Sequence, residues 1–271
     1  MAVLGLVSLG PPAQAEEHQL LQQTHAWGRF GKGSWREVRI LTENFDEQGA
    51  LTNSSTTDNK TTIEDVTPER VTLRIEVTVE IAGQKFPSQP QIIKQGYAGE
   101  NVGQSVSIKP LSHEVLVVDD REIRCETQQI EIVGGASKEV SIISYSPRLT
   151  PAILKRKSIL SDVASARTTQ ESVSEVYALD RRLNVLGENK TGFRVRLVQK
   201  NDRGTTTTRS VHVLDVPGEV VSHNSEKLDP KGRLVRRSTL ELVAYGVEGD
   251  DSVRDGSRGR MRRHKRARDS R

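Results

Sequence analysis

Residues 71 to 81 limit what this chain can fold into more than any other stretch. Val71, Leu73, Ile75, Val77, Val79 and Ile81 alternate without a miss with Thr72, Arg74, Glu76, Thr78 and Glu80. A period of two over eleven residues specifies a long β-strand with one buried face, because successive side chains on a strand point to opposite sides. On a helix the same residues would be scattered around the circumference.

Other segments follow the same rhythm. Phe193, Val195 and Leu197 alternate with polar neighbours, as do Val211 and Val213, and Leu240, Leu242 and Ala244. Residues 115–118, 123–132, 140–145, 153–160 and 173–179 are short and rich in β-branched or apolar side chains. Turn chemistry separates them: Asp119-Asp120, Gly134-Gly135 and Asp202-Arg203-Gly204. Hydrophobic residues make up 34% of the 271 and charged residues 28%, which suits sheets with one wet face better than a thick helical core. The pattern predicts an all-β fold with little helix. Its form is an antiparallel meander of about a dozen strands making a large curved sheet or an open half-barrel.

Two segments have weak helical spacing. Residues 17–23 read as a linker. Residues 157–166 read as a hairpin with Ser161-Asp162 near the turn, because Ile159, Val163 and Val173 are β-branched. Asp46-Glu47-Gln48-Gly49-Ala50-Leu51 and Asp229-Pro230-Lys231-Gly232-Arg233-Leu234 share the pattern D-x-x-G-x-L. Shared hairpin-turn chemistry, with Asp opening the turn and Gly left-handed, accounts for the match without an internal duplication.

The N-terminus carries an apolar run, Val3 to Leu9, a Gly10-Pro11-Pro12 breaker, and Ala13-Gln14-Ala15 before Glu16-Glu17. This is the layout of a secretory signal cleaved after Ala15, although no Lys or Arg precedes the run. It is too short to span a bilayer as a helix. The expected organisation is a signal at 1–15, a lead-in at 16–34, a β-rich module at 35–182 and a meander at 183–248 continuous with it. A disordered basic tail at 249–271 completes the chain. The expected location is periplasmic or extracellular, soluble once the signal is removed.

The net charge of +4 belongs to that tail. Nine of the 40 Lys and Arg and four of the 36 Asp and Glu lie from Asp250 to Arg271, leaving 31 basic and 32 acidic residues elsewhere. The body therefore gives no electrostatic reason to expect nucleic acid. Arg258, Arg260, Arg262, Arg263, Lys265, Arg266 and Arg268 form a candidate polyanion-binding tail, suited to an envelope polymer or anionic lipid. No aromatic residue is interleaved to stack bases.

Motif searches return no chemistry. His18, His25, His113, His212, His223 and His264 make no metal-ligand spacing. No G-x-S-x-G elbow, P-loop or G-x-G-x-x-G occurs. His212 and His223 can face each other on adjacent strands, but His212 reads as an exposed strand histidine. Asp119-Asp120 reads as a polar turn rather than a carboxylate pair, because adjacent residues point opposite ways. Cys125, the single cysteine, reads as a buried inert thiol. No catalytic, cofactor or metal residues are assigned, and a non-enzymatic protein without cofactors is expected.

Trp27-Gly28-Arg29-Phe30 and Gly33-Ser34-Trp35, leading into Val38 to Glu43 and the Asp-x-x-Gly turn, resemble the opening of uncharacterised exported proteins of planctomycete-type bacteria. Val117 to Cys125, Tyr145-Ser146-Pro147, and Pro151 before Leu154-Lys155-Arg156 extend the resemblance over roughly residues 25 to 245. That family often has Trp-Tyr-Ser-Pro where this chain has Ser144-Tyr145-Ser146-Pro147. The resemblance implies an exported β-rich protein and transfers no catalytic residue. In fold style the chain is more distantly similar to the open half-barrel of periplasmic lipoprotein carriers. The expected role is therefore binding or structural, in the cell envelope. One alternative is a carrier of lipid, acyl chains or lipoproteins, with the Val71 to Ile81 face lining an apolar groove. The other is a hydrolase whose paired carboxylates only the fold brings together.

Overall fold

The computed structural model describes residues 20–248 and the backbone of Arg254–Asp255. Sixteen strands account for most of it: β1(Trp35–Phe45), β2(Leu51–Val66), β3(Arg70–Ile81), β4(Gln84–Pro87), β5(Gln91–Gly96), β6(Ser105–Pro110), β7(Glu114–Val118), β8(Arg121–Gly134), β9(Ser137–Tyr145), β10(Ile153–Asp162), β11(Thr168–Val185), β12(Glu188–Asn201), β13(Gly204–His212), β14(Val220–Leu228), β15(Leu234–Gly246) and β16(Arg254–Asp255). They form one sheet in the order β4-β3-β2-β1-β15-β14-β13-β12-β11-β10-β9-β8-β6, with β5 on β3, β7 on β8 and β16 on β15. The pairings β1 with β2, β1 with β15 and β12 with β13 illustrate the antiparallel plan. Along this path only β1–β15 and β8–β6 join strands that are not consecutive, so the expected meander is what forms.

The sheet curls because its ends share a core. Ile63, Val71 and Leu73 from β2 and β3 pack in one cluster with Ile130, Ile132 and Ile143 from β8 and β9, near the opposite end of the order. Bulges help the bend: β11 shifts register at Val176/Ala178 and again at Ala178/Arg181. No ladder joins β4 and β5 to β6 and β7 among the described residues, so the barrel stays open.

The lead-in lies inside this curl. Leu21 and Trp27 belong to the same buried cluster, with Phe30 packed against it. Residues 20–24 form a helical turn, which corrects the expectation of a linker there. Thr24 Oγ1 donates to the Leu20 carbonyl at 2.8 Å, and Leu21 is buried. Burial of one leucine against the sheet selects this turn where local spacing alone is too weak.

Local expectations hold at the turns. Residues 157–166 are the β10–β11 hairpin. Asp46 and Asp229 each accept two backbone N–H bonds, from Gln48 and Ala50 in one turn and Lys231 and Arg233 in the other. Gly49 and Gly232 both sit at φ +83°. The two turns also touch, through Arg233 Nη1 and Glu47 Oε2 at 3.4 Å. Residues 182 and 183 both fall inside β11.

Candidate functional site

Between the lead-in and the inner face of β10 to β13 lies a cleft of about 420 Å³. Leu149, Leu154, Val176, Phe193, Val195 and Leu214 supply its apolar walls. The strand register explains their convergence. Val176 pairs with Val195, Val195 with Ser210, and Phe193 with His212, which stacks these side chains across one face. The helical turn closes the other side with Leu20, Gln23 and Thr24.

A charged group sits at one end. Glu219 lies in the β13–β14 connection at φ +61°, a conformation uncommon for a side chain of its size. Its Oε1 is 2.8 Å from Arg29 Nη2, and its Oε2 is 3.5 Å from His212 Nδ1. Burial raises the Glu219 pKa, but the His212 and Arg29 partners outweigh it and hold the carboxyl below its ordinary value. Arg29 also donates from Nε and Nη2 to the Leu214 carbonyl, at 3.2 and 2.9 Å.

His212 is not the exposed strand residue expected from its neighbours. Its side chain is 16% exposed, its ring stacks on Phe193 at 5.0 Å, and Nε2 is 2.8 Å from Ser210 Oγ. Alternation was the misleading signal: the inner face, apolar at Phe193 and Val195, also carries Ser210 and His212. His223 does not pair with His212; it lies opposite Ser210. Its pKa is lowered, by burial first and then by the nearby Arg36 charge. Ser210, His212 and Glu219 follow one another in the order of a hydrolytic triad. Ser210, however, is not among the residues that border the cleft, and His212 Nδ1 meets Glu219 without hydrogen-bond alignment.

Arg36 braces the same connection. Its Nη1 donates to the carbonyls of Gly218 and Val220, and its guanidinium lies 5.2 Å from the Trp27 ring centre. Burial lowers its pKa to about 10, so it remains protonated at neutral pH. His25 Nδ1 accepts from the backbone N–H groups of Trp27 and Gly28. Burial also lowers the His25 pKa, an effect opposed by Glu219.

The remaining candidates fall elsewhere. Val71 and Leu73 are buried in the core, Ile75, Val77 and Val79 are half-buried, and Ile81 is exposed; none of the six borders this cleft. Asp119 accepts from the Leu179 N–H at 2.7 Å and pairs with Arg181, tying the β7–β8 turn to β11. Asp119 and Asp120 have φ of +51° and +60°, as a tight turn requires. Cys125 is fully buried, and burial raises its thiol pKa, with Glu114 adding to the effect. Arg258, Arg260, Arg262, Arg263, Lys265, Arg266 and Arg268, like the signal at 1–15, lie outside the described residues. No three His, Cys, Asp or Glu side chains gather as a metal site would need, among the described residues. The fold-assembled hydrolase calls for two carboxylates in one pocket. The cleft presents Glu219 alone, whereas Glu69 and Glu100 border one other recess of the surface and Asp162, Glu171 and Asp202 another.

The molecule is thus an open, antiparallel half-barrel with a lead-in segment laid through its interior. No family model and no curated protein sequence matches the chain. Among solved structures, a DUF1329 family protein from Desulfovibrio piger is 9% identical over 89% of this chain and 94% of its own, with a TM-score of 0.38. A candidate exported protein with a YMCC-like fold from Bacteroides fragilis is 9% identical over 79% of this chain and 98% of its own, with a TM-score of 0.28. A candidate lipoprotein from Parabacteroides distasonis is also 9% identical, over 79% and 97%, with a TM-score of 0.28. At these values neither a shared family nor a shared function follows, and none of the three links the chain to planctomycete-type bacteria.

Proposed function

We propose that this is a non-enzymatic binding protein of the bacterial cell envelope whose cleft takes the apolar part of an amphiphile. One observation carries the reading: an open cleft of about 420 Å³ in which aliphatic side chains and Phe193 form an apolar wall, with polar and charged side chains making up the rest of the lining. That size is typical of small-molecule sites, which span roughly 300–1,000 Å³. The ligand site of this reading is the β10–β13 face rather than the Val71 to Ile81 strip, none of whose six apolar residues borders the cleft. The signal layout at residues 1–15 supports placement in the envelope.

Organic extraction of protein purified from the exported fraction, followed by mass spectrometry, tests this directly. A bound chain amphiphile is expected. Val195→Trp, which adds bulk at a residue bordering the cleft, is expected to remove it, with circular dichroism and a thermal melt confirming that the sheet is retained. A clean extract, together with no uptake of an added alkyl-chain probe, sinks the proposal.

A further inference from the structure

The charges around the cleft narrow the ligand class, on the reading that the cleft holds an amphiphile. Arg29, Lys155 and Arg156 border it, and each already faces a carboxylate. Arg29 meets Glu219 at 2.8 Å and spends two further bonds on the Leu214 carbonyl. Arg156 Nη2 is 3.1 Å from Glu139, and its remaining bonds go to Ser141, Ser158 and the Ala98 carbonyl. Lys155 is 3.6 Å from Glu175, on a ladder that continues to Arg196. His212, the remaining group able to carry positive charge there, shares Glu219 with Arg29.

An anionic head group entering the cleft would give up water and compete with a carboxylate for each of these cations. It would also lie near the Glu219 carboxylate, which its partners keep ionised. An uncharged head loses less on desolvation. Thr24, Thr150 and Ser174 border the same space, and a hydroxyl oxygen has lone pairs with which to accept, even where, as at Thr24, its proton is given to a backbone carbonyl.

We infer that the cleft selects an amphiphile with an uncharged, hydrogen-bonding head, such as a glyceryl ester, over the carboxylate of equal chain length. Glu219 and Glu139 set this selectivity by neutralising Arg29 and Arg156.

Calorimetric titration of the full chain with monolaurin and with laurate, at pH 8 and below their micellar concentrations, tests the inference. Monolaurin is expected to bind about tenfold or more tighter, a difference of roughly 1.4 kcal/mol. Glu219→Gln frees Arg29 and is expected to strengthen laurate binding by a similar factor with little change for monolaurin. Glu139→Gln frees the more exposed Arg156 and gives a second measurement if the buried substitution unfolds the protein. Laurate binding as tightly as monolaurin, or variants that leave the ratio unmoved, overturns the selectivity. If Val195→Trp still abolishes both ligands in that case, the amphiphile site itself stands. If neither ligand binds the unaltered protein, both readings fall.

Discussion

Arg29 in the lead-in and Glu219 in the β13–β14 connection meet at 2.8 Å, and this contact clasps the N-terminal segment onto the far side of the sheet. The backbone joins in: Gly218 N–H donates to the Ala26 carbonyl at 2.9 Å. Next to it, Trp27 is held under the Arg36 guanidinium.

Removing one partner of that clasp leaves the other charge buried. Arg29→Ala is expected to lower stability by about 3 kcal/mol, because the buried Glu219 carboxylate then keeps only its poorly aligned contact with His212. The double variant Arg29→Ala with Glu219→Gln should recover part of that loss. Urea denaturation followed by tryptophan emission measures both. Equal midpoints for Arg29→Ala and the unaltered protein would show that the ion pair does not fasten the lead-in.

Stability should fall in mild acid. His25 and His223 have folded pKa values below the ordinary 6.5, so the unfolded chain takes up protons first. Their contribution is complete above about pH 6.5 and is lost as pH falls through that value toward the folded ones. Glu219, also depressed, adds a second loss below its ordinary 4.5, as pH falls through its folded value. Melting temperatures at pH 7.5, 6, 5 and 4 should decline in this sequence. His223→Gln should flatten the first part. A constant melting temperature from pH 7.5 to 5 contradicts the assignment.

Two hairpin glycines should respond differently to alanine. Gly49 and Gly204 both have positive φ, but Gly49 faces open space whereas a Cβ on Gly204 would meet the Leu228 carbonyl oxygen at 2.0 Å. Gly49→Ala is expected to cost about 1–2 kcal/mol from backbone strain alone. Gly204→Ala should cost about 3 kcal/mol, since the β14 backbone must also shift. Thermal melts of the two variants should keep that order.

Cys125 should be silent toward thiol reagents in the folded protein. It is fully buried, and burial disfavours the reactive thiolate. Labelling with a chromogenic disulfide is expected only in denaturant, with a rate in buffer that tracks unfolding. Rapid stoichiometric labelling of native protein would refute this.

Much of the strand pattern is readable from residues alone. The hairpin at Asp202-Arg203-Gly204, the turn at Asp119-Asp120 and the twin D-x-x-G-x-L turns all form where local chemistry puts them. These features rest on interactions within a few residues, where spacing and backbone preference decide. The lead-in is different. Its helical turn at 20–24 depends on Leu21 reaching a core built from β2, β3, β8 and β9.

The cleft was not readable in that way. Arg29, Arg156 and Glu219 carry no motif, and His212 looked like a surface residue because its strand neighbours are valines. The sequence alone determined that residues 71–81 form a strand with one buried face, and that the chain as a whole builds an antiparallel sheet. Period-two alternation states which face of a strand is buried, but not what lies against it. Only the tertiary structure decided that, because the answer depends on the register between strands, on the curl that brings β3 over β8, and on a segment from the N-terminus lying between them. Val71 and Leu73 consequently end in one packed cluster away from the cleft, and Phe193 and Val195, on a less perfect strand, belong to a second packed cluster that borders it.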